Sequence, residues 1–131
     1  MPTELPNKPK IAFDTNMLLA IGQLHVDIIS EARKLFGGNA VFTIPKQVLQ
    51  ELKDLEKGDK KMSKAVKIAL REIENKIEIT DKEASNADQA LAKMAKEGYT
   101  IATNDSALRK RIKGFGGKVI YLRQRRFLKM D

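Results

Sequence analysis

The chain has 131 residues, 42% of them hydrophobic and 32% charged, with a net charge of +8. That length suits one domain with a core of its own. No run of about 18 apolar residues marks a transmembrane helix, the polar MPTELPNKPK start lacks the apolar stretch of a signal peptide, and the lack of cysteine rules out disulfides, zinc ribbons and thiol nucleophiles, which points to the cytoplasm and away from membranes.

Residues 1–9 read as a polar extension. Ile11-Ala12-Phe13 then forms a short apolar run that stops at Asp14, the pattern of a buried strand with a carboxylate at its tip. A short helical piece near Met17-Leu18-Leu19 follows, and a longer helix is expected over 25–36, closed by Gly37-Gly38. Residues 40–44 are a second strand, and Pro45 opens a helix over 46–57 that ends at Gly58. Met62, Val66, Ala69 and Ile73 recur at helical spacing. A strand over 77–80, a helix over 84–97 ended by Gly98, a strand over 99–103, a helix over 105–113 and a strand over 118–122 complete the series. Strands alternating with helices predict a single three-layer α/β/α domain over 10–123, with a mostly parallel, Rossmann-like sheet covered on both faces. A basic tail, 124–131, follows it.

The charge is concentrated at the end. Residues 106–131 hold nine basic side chains and one acid, so they carry the whole surplus of +8 and the remainder of the chain balances. A solvated helix face is the bland account of such a run. A surplus of one sign this concentrated favours a polyanionic partner instead, held with release of counterions.

Four acids stand out. Asp14 ends the first strand, and Asp105 lies two residues past the strand that ends at Thr103. In parallel sheets, ligands sit beyond the carboxyl ends of the strands, where both would lie. Glu51 borders the apolar arc of Val48, Leu49, Leu52 and Leu55, and Asp88 shares a stripe with Leu91 and Ala95, so both are expected to face inward. Each has a duller role open to it: Asp14 and Asp105 as helix caps, Glu51 as a borderline surface acid, Asp88 as a second-turn acid helped by the helix dipole. As a converging set they repel, by about 4 kcal/mol for two carboxylates ~4 Å apart at an effective dielectric of ~20. Protonation or a bound cation must relieve that, and all-oxygen ligands select a hard ion such as Mg²⁺ or Mn²⁺.

Asp14 in FDTN, Glu51 in VLQEL, Asp88 in NADQAL and Asp105 in ATND together resemble the acidic quartet of the PIN-domain nucleases, with Asn16 and Thr103 at the polar positions that support the first and fourth acids. The likeness runs over 10–126. Within it, ATNDSALRKRIKGFGGKVIYLRQRR looks like the PIN nuclease of the small-subunit processome, which acts in eukaryotic pre-ribosomal RNA cleavage, and its archaeal relatives. The resemblance implies a PIN-like fold and metal-dependent hydrolysis of single-stranded RNA to a 5′-phosphate and a 3′-hydroxyl. It also implies that Asp14, Glu51, Asp88 and Asp105 hold Mg²⁺ or Mn²⁺ and carry the catalysis. Arg109, Lys110, Arg111, Lys113, Arg123, Arg125 and Arg126 would hold the flanking RNA backbone. The expected partners are a ribosomal RNA precursor and ribosome-assembly proteins, with a homodimer left open. Three other readings compete: a toxin of a toxin–antitoxin pair, an RNA-binding assembly scaffold that no longer cleaves, and a receiver-type phosphoryl-transfer domain. The last needs a lysine after a late strand, and Lys118 begins one. His25, the sole histidine, lies in no motif.

Overall fold

The computed structural model describes residues 8–131, so part of the polar extension expected over 1–9 lies outside the described residues. Six strands form one sheet in the order β3-β2-β1-β4-β5-β6. They are β1 (Lys10–Phe13), β2 (Val41–Pro45), β3 (Glu78–Thr80), β4 (Thr100–Ala102), β5 (Lys118–Arg123) and β6 (Phe127–Met130). All neighbours pair in parallel except β5 with β6. Ile11, Ala12 and Phe13 are all fully buried, as are Ile101 and Ala102. Adjacent strand residues point to opposite faces, so burial of successive residues means that both faces of the sheet centre are covered.

The cover comes from six helices: α1 (Thr15–Leu24), α2 (Ile28–Phe36), α3 (Lys46–Leu55), α4 (Lys60–Ile73), α5 (Ala87–Lys96) and α6 (Ser106–Gly114). None of them is long and apolar enough to cross a membrane. The expected α/β sandwich is what forms, with three local differences. The helical piece near Met17 is a full helix, α1, whose Met17, Leu18, Leu19, Ala20 and Ile21 are all buried. His25 does not begin α2. It ends α1 in the left-handed conformation at φ 58°, and α2 starts after the Asp27 cap. The C-terminal residues 124–131 contain a sixth strand. Residues 123–126 make a tight turn, with Arg126 N–H bonded to Arg123 O at 3.1 Å and Gln124 and Arg125 at φ 55° and 58°. That turn returns the chain along β5, where Leu128 is buried opposite Leu122.

The order of strands sets the position of the site. From β1 the chain moves outward through β2 to β3, then crosses to the other side of β1 for β4 and β5. β1 and β4 therefore flank the switch point, where loops leave the sheet in opposite directions and a crevice opens at the carboxyl edge.

Candidate active site

Asp14 and the loop 103–105 leave the sheet at that switch point, from β1 and β4 respectively. Asp14 N–H bonds to Ala102 O at 3.1 Å, and Thr103 N–H to Ile120 O at 3.0 Å, so the two exits are tied to neighbouring strands. Thr103 is fully buried and stands between the two acids. Its hydroxyl donates to Asp14 Oδ2 and accepts the backbone N–H of Asp105 at 3.0 Å.

Both aspartates also cap helices, as their duller reading has it. Asp14 Oδ1 accepts from Met17 N at 2.7 Å and Asp105 Oδ1 from Leu108 N at 2.9 Å. The same bond recurs at Asp27 and Asp59, so capping alone distinguishes nothing. The contrast with Asp27 does. The Ser30 amide holds the exposed Asp27 below the ordinary carboxylate range. Asp14 accepts an equivalent bond, yet it is pushed up from 3.8 to about 6. The first cause is burial, since the residue is only 8% exposed, and the Asp105 and Asp88 carboxylates add to it against the bonds from Thr103 and Met17. Asp14 is thus a carboxylate kept at an energetic cost, in a crevice, beside two like charges. Such strained groups concentrate at functional sites.

The other two acids lie differently from the expectation that both face inward: Glu51 and Asp88 are exposed. Asp88 is in the first turn of α5, just after the Asn86 cap, and at that end a side chain tilts back past the helix start to solvent, while Leu91 and Ala95 beneath it are buried. Its charge still reaches Asp14. Glu51 Oε1 accepts a hydrogen bond from Thr15 Oγ1, the residue beside Asp14, which draws α3 toward the site. Asn16 is exposed on the first turn of α1. Among the described residues no three acidic or histidine side chains are close enough to hold an ion ready-made, so the four carboxylates do not form the tight convergence expected of them. Asp14, Asp88 and Asp105 share one electrostatic neighbourhood, with Glu51 at its rim. This oxygen-only donor set, one member of which is already short of solvation, fits a hard divalent cation.

Sequence reasoning missed Asn104, which lies between Thr103 and Asp105. Its side chain donates to Leu122 O at 2.9 Å and accepts from Leu122 N at 2.6 Å, clipping the loop after β4 to β5. ATND reads as the end of one strand and the start of a helix, and the strand it clasps begins more than a dozen residues later, so local pattern carries no sign of it.

The basic residues divide. Arg109 is bonded through Nε and Nη2 to Asp131 Oδ2 at 3.1 and 2.9 Å and lies 4.3 Å over the Tyr121 ring. Lys113 takes the other oxygen of Asp131 at 3.2 Å. These two cations tie the C-terminus to α6. Lys110, Arg111, Arg123, Arg125 and Arg126 are exposed, and none is in an ion pair among the described residues. Arg123 ends β5 at the same edge of the sheet as Asp105, so the 123–126 turn borders the crevice.

A family model described as a PIN like domain matches residues 11–125. Solved structures of similar fold include the PIN domain endonuclease Utp24, at TM-score 0.77 and 21% identity over 95% of this chain and 93% of that one. Another is a domain of a functionally unknown protein from Methanocaldococcus jannaschii, at TM-score 0.61 and 19% identity over 87% of this chain and 91% of that one. A third is VapBC2 from Rickettsia felis, solved bound to a DNA fragment of its promoter, at TM-score 0.57 and 20% identity over 77% of this chain and 92% of that one. No curated protein matches. With the family model spanning almost the whole folded domain, and Asp14 and Asp105 at the switch point of a matching sheet, the chain belongs to the PIN-like domain family and has the fold of the PIN nucleases.

Proposed function

We propose that this protein is a divalent-metal-dependent endoribonuclease that cleaves ribosomal RNA precursors in the cytoplasm. One observation carries the reading: Asp14 is buried and pushed up to about 6 next to Asp105 and Asp88, at the carboxyl edge where β1 and β4 part. Asp14, Asp88 and Asp105, with Glu51 alongside, are the residues that would hold Mg²⁺ or Mn²⁺. When bound, such an ion supplies Lewis-acid activation of water and charge neutralisation at the scissile phosphate. The chain's own contribution is orientation. Thr103 fixes Asp14 and Asp105 relative to each other through one hydroxyl, Thr15 holds Glu51 toward them, and Asn104 keeps the loop that carries Asp105 in place. Arg123, Arg125 and Arg126 on the bordering turn would take the RNA backbone that flanks the cut. They position the chain without touching the reacting phosphate.

The ribosomal substrate is supported by the resemblance of ATNDSALRKRIKGFGGKVIYLRQRR to the PIN nuclease of the small-subunit processome, and the fold likeness to the PIN domain endonuclease Utp24 covers more of the chain than that to VapBC2 does. The deciding experiment incubates the purified chain with structured ribosomal RNA precursor and with unrelated single-stranded RNA, each with Mn²⁺ and with EDTA. Cut fragments bearing a 5′-phosphate, formed only with metal and preferentially from the precursor, are expected. Metal-dependent cleavage without preference for the precursor would favour the toxin reading, and binding without cleavage would favour an assembly scaffold.

A further inference from the structure

The outward face of α4 carries an unneutralised stripe of positive charge in the half of the sequence whose charges balance. Lys60, Lys64, Lys67 and Arg71 follow one another at spacings of four, three and four residues, so they stack along one side of the helix for about 16 Å. All four are exposed, and Lys61 lies beside them. Ala65, Val66, Ala69 and Ile73 on the opposite side are buried. From residue 60 to 71 there is no acid, and none of the four cations is in an ion pair among the described residues. Four of the nearby acids are engaged elsewhere. Asp59 caps α4, Glu72 pairs with Lys76, Asp54 with Lys57 and Asp81 with Lys46.

The stripe is also shaped. Together with Gly58, Ser63 and Ile68, the four cations line an open groove of about 540 Å³. Its orientation is set by the crossing of α1 and α4, where Gly22 lies against the backbone of Ala65 so closely that a Cβ there would overlap it. Gly22 is eight residues along α1 from Asp14, about 12 Å down the helix from the crevice. An RNA that occupies both the crevice and the groove must therefore extend beyond that distance and around α4, as a long or folded RNA does.

We propose that the α4 stripe is a second RNA-contacting surface, which grips the ribose-phosphate backbone of a segment remote from the cut, independent of its sequence. Its occupant is RNA because evenly spaced, unpaired cations along a groove complement a chain of regularly spaced phosphates, and their binding gains from counterion release. This proposal rests on the nuclease reading for its substrate, but not on the acidic site for its affinity.

The test replaces all four residues by Gln (Lys60→Gln, Lys64→Gln, Lys67→Gln, Arg71→Gln) in the full chain, with thermal unfolding as the control for folding. Binding is measured in EDTA at several salt concentrations, using a hairpin RNA with single-stranded flanks and a single-stranded octamer. Cleavage of the octamer is measured separately with Mn²⁺. For the hairpin, the plot of log affinity against log salt should flatten by about 0.7 for each single-strand phosphate no longer neutralised and about 0.9 for each duplex phosphate, with affinity near 0.1 M salt falling roughly tenfold or more. Octamer cleavage at saturating RNA should not change, because the stripe takes no part in the reaction. Equal hairpin affinity and salt slope in a variant that melts like the parent would overturn the proposal and leave the stripe to an acidic protein surface. Octamer cleavage that persists in that case upholds the nuclease reading. A parent that cleaves neither RNA but binds the hairpin through α4 refutes the nuclease reading and supports this one.

Discussion

Replacing Asp14 by Asn tests the central electrostatic argument, because it removes the charge and keeps the shape. In the folded protein the carboxyl titrates at about 6 instead of 3.8. Each unit of such a shift corresponds to about 1.4 kcal/mol, so the ionised residue lowers metal-free stability by about 3 kcal/mol. The folded state binds the proton more tightly than the unfolded state. The penalty is therefore absent below pH 4, grows as pH rises through 4 to 6, and is complete above 6. Asn keeps the cap on Met17, since Asn and Asp serve equally there. The Thr103 hydroxyl loses its anionic acceptor, at a cost of about 1 kcal/mol. The net gain at pH 7.5 in EDTA should be about 2 kcal/mol, or roughly 5–10 °C in Tm for a domain of this size. Thermal unfolding of parent and variant at pH 4, 5, 6 and 7.5 reads it directly. The gain should vanish at pH 4, and millimolar Mn²⁺ should reverse it by stabilising only the parent. Metal-dependent RNA cleavage should be lost. A variant no more stable than the parent at pH 7.5, or a gain of equal size at pH 4, would refute the reasoning from buried charge.

Three further outcomes are expected. Gly22→Ala should destabilise the fold by about 3 kcal/mol, read by urea unfolding, because the added methyl meets the backbone of Ala65, which cannot swing aside. Asn104→Ala removes both bonds to Leu122 and should cost about 2 kcal/mol; if Asn104 positions Asp105, kcat should fall with little change in KM. Changing Arg123, Arg125 and Arg126 together to Gln should weaken RNA binding for all sequences and flatten the salt dependence by about 0.7 for each single-strand phosphate those arginines neutralise, while cleavage at saturating RNA changes little. An unchanged slope would make the 123–126 turn a structural hairpin only.

Much of this protein is written locally. Apolar runs such as Ile11-Ala12-Phe13, their alternation with helical repeats, and Asp14 and Asp105 at strand ends come from patterns a few residues wide, which is the range over which backbone preference and side-chain period act. The order of elements and the place of both acids at the sheet's edge were legible for that reason. The character of the site was not. Asp14 is set apart from an ordinary cap by its burial and by Thr103, 89 residues away, and Glu51 is drawn toward the crevice by Thr15, 36 residues away. A helical wheel placed Glu51 and Asp88 on apolar borders but could not show that nothing packs over them. Charge tells the same story in both directions. The sequence puts the whole surplus in residues 106–131, yet Asp131 engages two of those cations, while α4, in the balanced half, keeps four uncompensated. Formal charge adds up along the chain, whereas neutralisation depends on distances of a few ångströms between groups far apart in it. Only the folded chain sets those distances.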